Sequence, residues 1–235
     1  MKNNNQKTIS IIIPVLNEEK HLGRLIGYLK ANSHKENIEE IMIIDGGSDD
    51  QSASIAMEMG VRLLQSEKGR AKQMNHGAKH ALGDILYFLH VDTFPPNNFD
   101  QHILKEVDQG YETGCFRMVF DSRHWFLRFF AFLSRLNLKI CRGGDQSLFI
   151  SKALFKSAKG FNEQYIIYED SEFIGRLYQM TTFKVIPQNV TTSARKYRQI
   201  GLLRLQYHFG VIHLKNMFGA GPDKLYDYYR RKIVS

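Results

Sequence analysis

The sequence predicts an α/β fold, a mostly parallel central sheet flanked by helices with a helical extension at the C-terminal end. Two observations carry this. Short apolar runs alternate with amphipathic stretches through the first ninety residues, the pattern of βαβ units with right-handed crossovers. Two of the runs, Ile9 to Ile13 and Ile41 to Ile44, lead directly into polar loops, Pro14-Val15-Leu16-Asn17-Glu18-Glu19 and Asp45-Gly46-Gly47-Ser48-Asp49-Asp50. Loops of that kind at the carboxyl ends of buried strands form the ligand crevice of an open parallel sheet.

Taken in order, Thr8–Ile13 reads as a strand, Glu19–Ala31 as an amphipathic helix and Ile41–Asp45 as a second strand. Ser52–Met59 is a helix, Val61–Leu64 a short strand and Arg70–Ala81 a helix. Gly60 and Gly83 stand where helix C-caps are expected. Asp84–Leu89 is a further strand, Asn97–Gln109 a helix and Gly114–Phe120 a strand. Trp125–Leu133 is apolar on most faces and reads first as a helix buried between sheet and tail. A second reading makes it an exposed aromatic surface for a lipid or partner. One domain over residues 1–194 is expected, followed by an extension over 195–235.

The loop residues suit a nucleotide. Carboxylates and amides can hydrogen-bond a base and ribose, and glycines let the backbone come close. Lys68 and Arg70 at the mouth of a helix form an anion site fit for a pyrophosphate. Paired acids such as Glu169 and Asp170 raise one another's pKa, which favours a base, although acids at a helix start also simply complement its dipole.

Together these ordered motifs resemble the family-2 glycosyltransferases of GT-A fold, a match spanning roughly residues 8–198 and closest to a small soluble bacterial subgroup. The resemblance implies an inverting transfer of one sugar from a nucleotide-diphosphate sugar to an acceptor hydroxyl, with UDP favoured over GDP. It assigns Pro14, Asn17, Glu18, Asp45, Gly46, Ser48, Lys68, Arg70, Asn75 and Arg195 to the donor, Asp45 touching the base. His90-Val91-Asp92 stands at the family's Asp-x-Asp position, implying a divalent ion, Mn²⁺ or Mg²⁺, at Asp92 with His90 as second ligand. Gly144, Asp145 and Gln146 fall on the acceptor and sugar side. Asp170 becomes the base with Glu169 its neighbour. The Gln-x-x-Arg-Trp element of processive synthases is absent, which argues for single-sugar transfer. The rival reading is a non-catalytic, degenerate nucleotide-sugar-binding relative, with His90 its first sign of decay and a basic tail that holds lipid or nucleic acid.

Composition is that of a globular protein, 43% hydrophobic and 24% charged over 235 residues. Of the net charge of +8, residues 195–235 carry +7, from nine Lys/Arg against two Asp. Such a tail attracts phosphates. It suggests peripheral contact with the inner face of a membrane, packing on the domain, or a homodimer; nucleic acid is not an expected partner. The acceptor is left open among lipid, metabolite and glycan. The polar opening segment Met1–Lys7 does not read as a secretory leader, and no apolar run approaches the ~20 residues needed to span a bilayer. Cys115 and Cys141 lack metal or redox spacing and are expected as free thiols of a cytoplasmic protein.

Overall fold

The computed structural model describes residues 6–234. The first five residues of the polar opening segment, and Ser235, lie outside them. The first half alternates as the sequence predicts: β1 (Ile9–Val15), α1 (Glu19–Ala31), β2 (Ile38–Asp45), α2 (Ser52–Glu58), β3 (Arg62–Gln65), α3 (Arg70–His80) and β4 (Ile85–Phe88). Then come β5 (Thr93–Phe94), α4 (Phe99–Asp108), β6 (Thr113–Phe120), α5 (Trp125–Leu133), β7 (Leu148–Ser151) and α6 (Lys152–Ser157). The chain finishes with α7 (Glu169–Met180), β8 (Lys184–Thr192), α8 (Arg195–Ile200), α9 (Leu202–Met217) and α10 (Pro222–Tyr229).

The strands form one eight-stranded sheet in the order β3-β2-β1-β4-β7-β6-β8-β5. It is mixed, with four of its seven strand pairings parallel. The β3-β2-β1-β4 half is parallel throughout, but β7 runs antiparallel to both β4 and β6, and β5 antiparallel to β8. The parallel half is the part whose strands are joined by helical crossovers, and its strands read as continuous apolar runs because both faces are covered.

Successive side chains of β1 divide two cores. Ile9, Ile11 and Ile13 pack with α1 and α4, while Ile12 packs with α3 and α7 on the opposite face. On α1 the buried positions are Leu22, Leu25, Ile26 and Leu29, one stripe at helical spacing. Each such side chain contributes about 1.5–3 kcal/mol on burial, far more than its helix propensity, so packing holds this helix in place. A third, smaller core lies among the C-terminal helices: Leu205, Ile212, Leu225 and Ile233, joined by Ile167 from the segment before α7.

Two local expectations are corrected. Gly60 does adopt a left-handed φ of 61° after α2, but Gly83 caps nothing; α3 stops at His80. A Cβ on Gly83 would stand 2.8 Å from the Ser10 backbone nitrogen, so that glycine exists for close approach to β1. Secondly, α5 is not buried all round. Leu127 and Ala131 face inward, whereas Trp125, Phe129 and Phe132 face water. Both cysteines are free thiols. Among the described residues no helix is long and apolar enough to cross a membrane.

Candidate active site

A cleft of about 1400 Å³ opens at the carboxyl ends of β1 and β4, walled by the starts of α3, α7 and α8 and by one side of α9. Of the residues expected to bind or react, Pro14, Glu18, Lys68, Arg70, His90, Asp92, Gly144, Asp145, Gln146, Glu169, Asp170 and Arg195 line it. Asn17, Asp45, Gly46, Ser48 and Asn75 do not.

The first four of those absentees tie two neighbouring loops together. The Ser48 hydroxyl accepts from the Asn17 N–H at 2.9 Å and donates to Asp45, while Asn17 Oδ1 accepts from the Asp49 N–H at 3.0 Å. Beneath them, Gln73 Nε2 donates to both Val15 O (2.8 Å) and Ile44 O (2.7 Å), the carbonyls that close β1 and β2. Gln73 is buried, and a Cβ on Gly46 would press against its amide. Sequence reasoning missed this brace, since a glutamine inside a helix gives no sign of which carbonyls it will meet. Asn75 has a similar duty elsewhere: it donates to Phe161 O (2.9 Å) and Glu163 Oε1 (2.8 Å) and accepts from the Phe161 N–H (2.9 Å). Its amide holds the Gly160-Phe161 turn against α3.

The acids at the start of α7 differ sharply in environment. Glu169 is 1% exposed and pairs with Arg70, Nε to Oε1 at 2.8 Å. Burial pushes the Glu169 carboxyl above its ordinary range, against the pull of Arg70, and Glu169 in turn strengthens the hold of Arg70 on its proton. Asp170 faces the cleft. Its Oδ2 lies 3.5 Å from His90 Nε2, and the other ring nitrogen, Nδ1, lies 3.8 Å from Asp145 Oδ1. Burial alone would lower the His90 pKa, but the two carboxylates outweigh it and lift the group to about 10. Expected beside Asp92 as a second metal ligand, His90 instead has both nitrogens turned to carboxylates. Gly144 makes this packing feasible, because a Cβ there would overlap Asp170 Oδ2 and come within 2.5 Å of His90 Cε1.

Across the cleft, Arg195 bonds Glu18 (NH2 to Oε1, 3.2 Å) and approaches Asp92 Oδ2 at 3.7 Å. Burial raises the Asp92 carboxyl above its ordinary value, against the pull of His90 and Arg195. Among the described residues no group of three or more His, Cys, Asp or Glu could hold a metal ion. That donor set still fits a divalent ion bound in the way Mg²⁺ and Mn²⁺ commonly are, by one carboxylate with substrate phosphates and water supplying the rest. Lys68, also on the cleft wall, meets no carboxylate among the described residues.

Gln146 touches the cleft wall but does not offer its amide to a sugar. Its Oε1 accepts from Cys115 Sγ (3.2 Å) and from Arg142, and its Nε2 donates to Cys141 O. Arg142, buried at 3% exposure and unremarked in the sequence, also donates to Ser134 O at 2.9 Å, so the pair clamps the loop between α5 and β7. At the other end of the cleft Tyr168, with a left-handed φ of 71°, bonds His213 Nδ1 at 2.9 Å. The residue before the acid pair is therefore fastened to α9. A non-glycine residue in that conformation costs on the order of 1 kcal/mol and persists where surrounding contacts enforce it.

With this geometry in place, comparison with known proteins is informative. A family model described as "Glycosyl transferase family 2" matches residues 10–158. A 4,4'-diaponeurosporenoate glycosyltransferase of Staphylococcus haemolyticus is 32% identical over 119 residues, covering 47% of this chain and 30% of that protein. An undecaprenyl-phosphate 4-deoxy-4-formamido-L-arabinose transferase of Pectobacterium atrosepticum is 27% identical over 215 residues, 87% of this chain and 62% of that protein. The chain thus spans about a third to three fifths of the length of these curated relatives. Among solved structures, the mannosyltransferase PcManGT of Pyrobaculum calidifontis, in complex with GDP-Man and Mn²⁺, superposes with a TM-score of 0.69 at 16% identity, over 96% of this chain and 70% of that one. TarS 1-349 of S. aureus, in complex with UDP-GlcNAc, gives 0.66 at 20% identity, over 79% and 58%. The architecture is that of GT-A glycosyltransferases.

Proposed function

The chain belongs to glycosyl transferase family 2, and on that premise we propose that it is an inverting glycosyltransferase moving one sugar from a nucleotide-diphosphate sugar to an acceptor hydroxyl. The observation that carries this reading is the division of labour around one cleft: a buried Glu169–Arg70 pair, an accessible Asp170 beside it, and Asp92 with Arg195 facing them.

Asp170 is the base. As the acceptor oxygen bonds to the anomeric carbon, Asp170 takes its proton and the nucleoside diphosphate departs with the bonding pair. A single displacement of this kind inverts the anomeric centre. Glu169 keeps Arg70 in position, and Arg70 with Lys68 supplies positive charge for the diphosphate. His90 is a positioning residue, holding Asp170 and Asp145 apart at a fixed spacing.

Asp92 is the residue we assign to a divalent ion, which when bound neutralises charge on the leaving diphosphate. A neighbour crystallised with Mn²⁺ supports that assignment. Asp45, at the end of β2, is assigned to the base on the resemblance of its loop alone, since it lies outside the cleft lining and bonds Ser48, with uracil preferred over guanine. Action in the cytoplasm completes the reading.

Replacing Asp170 with Asn tests it. Transfer should fall by roughly 10²- to 10⁴-fold while donor nucleotide binding, measured by titration calorimetry, stays within about twofold. An unchanged rate would sink the base assignment.

A further inference from the structure

We propose that the groove between α5 and the end of β6 docks on an anionic phospholipid membrane, guanidinium groups taking lipid phosphates while aromatic rings enter the headgroup boundary. The groove encloses about 790 Å³ and combines Arg123, Arg128 and Arg135 with Trp125, Phe129 and Phe132.

Charge is the first argument. No acidic residue occurs between Asp121 and Asp145, a stretch that includes all three arginines. Several arginines elsewhere in the fold meet carboxylates: Arg70 with Glu169, Arg176 with Glu172, Arg195 with Glu18 and Arg198 with Asp121. Among the described residues no carboxylate meets Arg123, Arg128 or Arg135, and the last only stacks on Phe132 at 5.2 Å. Unmatched guanidiniums converging on one groove call for anionic oxygens.

Exposure is the second. Trp125 is 73% exposed, Phe129 55% and Phe132 54%, although Leu127 and Ala131 on the same helix are buried. The inner face pins α5 to β6, so the rings are presented outward on a fixed element. Aromatic residues interleaved with arginine, one face apolar and one anchored, are the composition of an interfacial helix. A protein partner would have to offer acids and an apolar surface in register. A phospholipid headgroup layer offers both at every point, and the chain's net charge of +8 draws it there.

Phe130 and Leu133, on the other side of α5, line the cleft. Docking through the outer face therefore holds the cleft at the membrane edge. This step rests on the transferase reading and makes the acceptor a membrane-held molecule that presents its hydroxyl at headgroup depth.

Trp125 is the only tryptophan of the chain, so its fluorescence reports the contact directly. The full-length protein is titrated with phosphatidylglycerol-containing vesicles and with pure phosphatidylcholine vesicles, at low and high salt, with brominated acyl chains as quencher. Blue-shifted, bromine-quenched emission on the anionic vesicles at low salt is expected, weakening at high salt and on phosphatidylcholine. The triple variant R123Q/R128Q/R135Q should bind the anionic vesicles about a hundredfold more weakly. Absence of a shift on any vesicle overturns the proposal, as does an equal shift on phosphatidylcholine. A shift that grows with protein concentration without lipid overturns it too, because a second copy would then cover the groove. Nucleotide binding is measured on the same samples in solution. Its loss would count against the transferase reading alone, and its retention without vesicle binding against the docking alone.

Discussion

Arg195 and Glu18 stand 177 residues apart in sequence and 3.2 Å apart across the cleft. The bond joins the first loop of the sheet to the start of the C-terminal helices, and Asp92 lies within 3.7 Å of the same guanidinium. Replacing Arg195 with Gln should lower kcat/KM for transfer by roughly ten- to hundredfold, the size of a lost hydrogen bond between charged groups. Steady-state kinetics over a range of donor concentrations checks this, and a change below twofold would exclude Arg195 from the donor site.

Gly144 lies so close to Asp170 and His90 that a side chain there must displace one of them. Gly144→Ala should cut turnover by about 10²-fold, the effect of misplacing a reacting group by around an ångström. Donor affinity should hold, so single-turnover rates and nucleotide titrations on the same variant separate chemistry from binding.

Gln73→Leu keeps the volume of the side chain but removes the amide donor shared by the Val15 and Ile44 carbonyls, of which Val15 O keeps the Gly46 N–H. Loss of these two buried hydrogen bonds should destabilise the fold by about 1–3 kcal/mol. Urea denaturation should show an earlier midpoint with an unchanged slope.

Chelation should depress transfer and added Mn²⁺ restore it, through Asp92. In Asp92→Asn the response to Mn²⁺ should vanish. Restoration as strong as in the unmodified protein would remove Asp92 from the ion.

Asp121 accepts from Arg198 NH1 (3.1 Å) and from the Ala194 N–H, joining the end of β6 to α8. Burial works upward on its pKa, but Arg198 and the backbone N–H outweigh it and hold the carboxyl below the ordinary aspartate range. A depressed folded-state pKa contributes stability above the ordinary value, near ~4, that is lost as pH falls through the depressed one. The gap in Tm between the native chain and Asp121→Asn should therefore be widest at neutral pH and close in acid. A gap independent of pH would mean that the carboxylate charge is irrelevant.

The parallel half of the sheet was legible because its signals are local: apolar runs, helical spacing and loops of acid and glycine. β8 was not, since Pro187 breaks its pattern; the structure absorbs that proline where the pairing with β6 slips, between Phe116 and Arg117. At four residues, β7 is too short to declare itself, and its antiparallel course makes the sheet mixed. Asp92, Glu169, Asp170, Arg70 and Lys68, named from separate motifs, all line one cleft. Gln73, Arg142 and the Tyr168–His213 bond were invisible, because each depends on a partner that only the folded chain brings near. The amides of Asn75 and Gln146 are likewise bonded to neighbours that only the folded chain brings near.

Ile167 packs in the core of the C-terminal helices, two residues before Glu169 and three before Asp170. During synthesis the sheet could assemble as soon as its strands emerge, yet the segment bearing both acids would lack its support until α9 and α10 followed. The sheet alone is thus a scaffold without a finished cleft, because the support of the acid-bearing segment comes from helices outside it. The cleft is complete only once α9 and α10 have closed on Ile167.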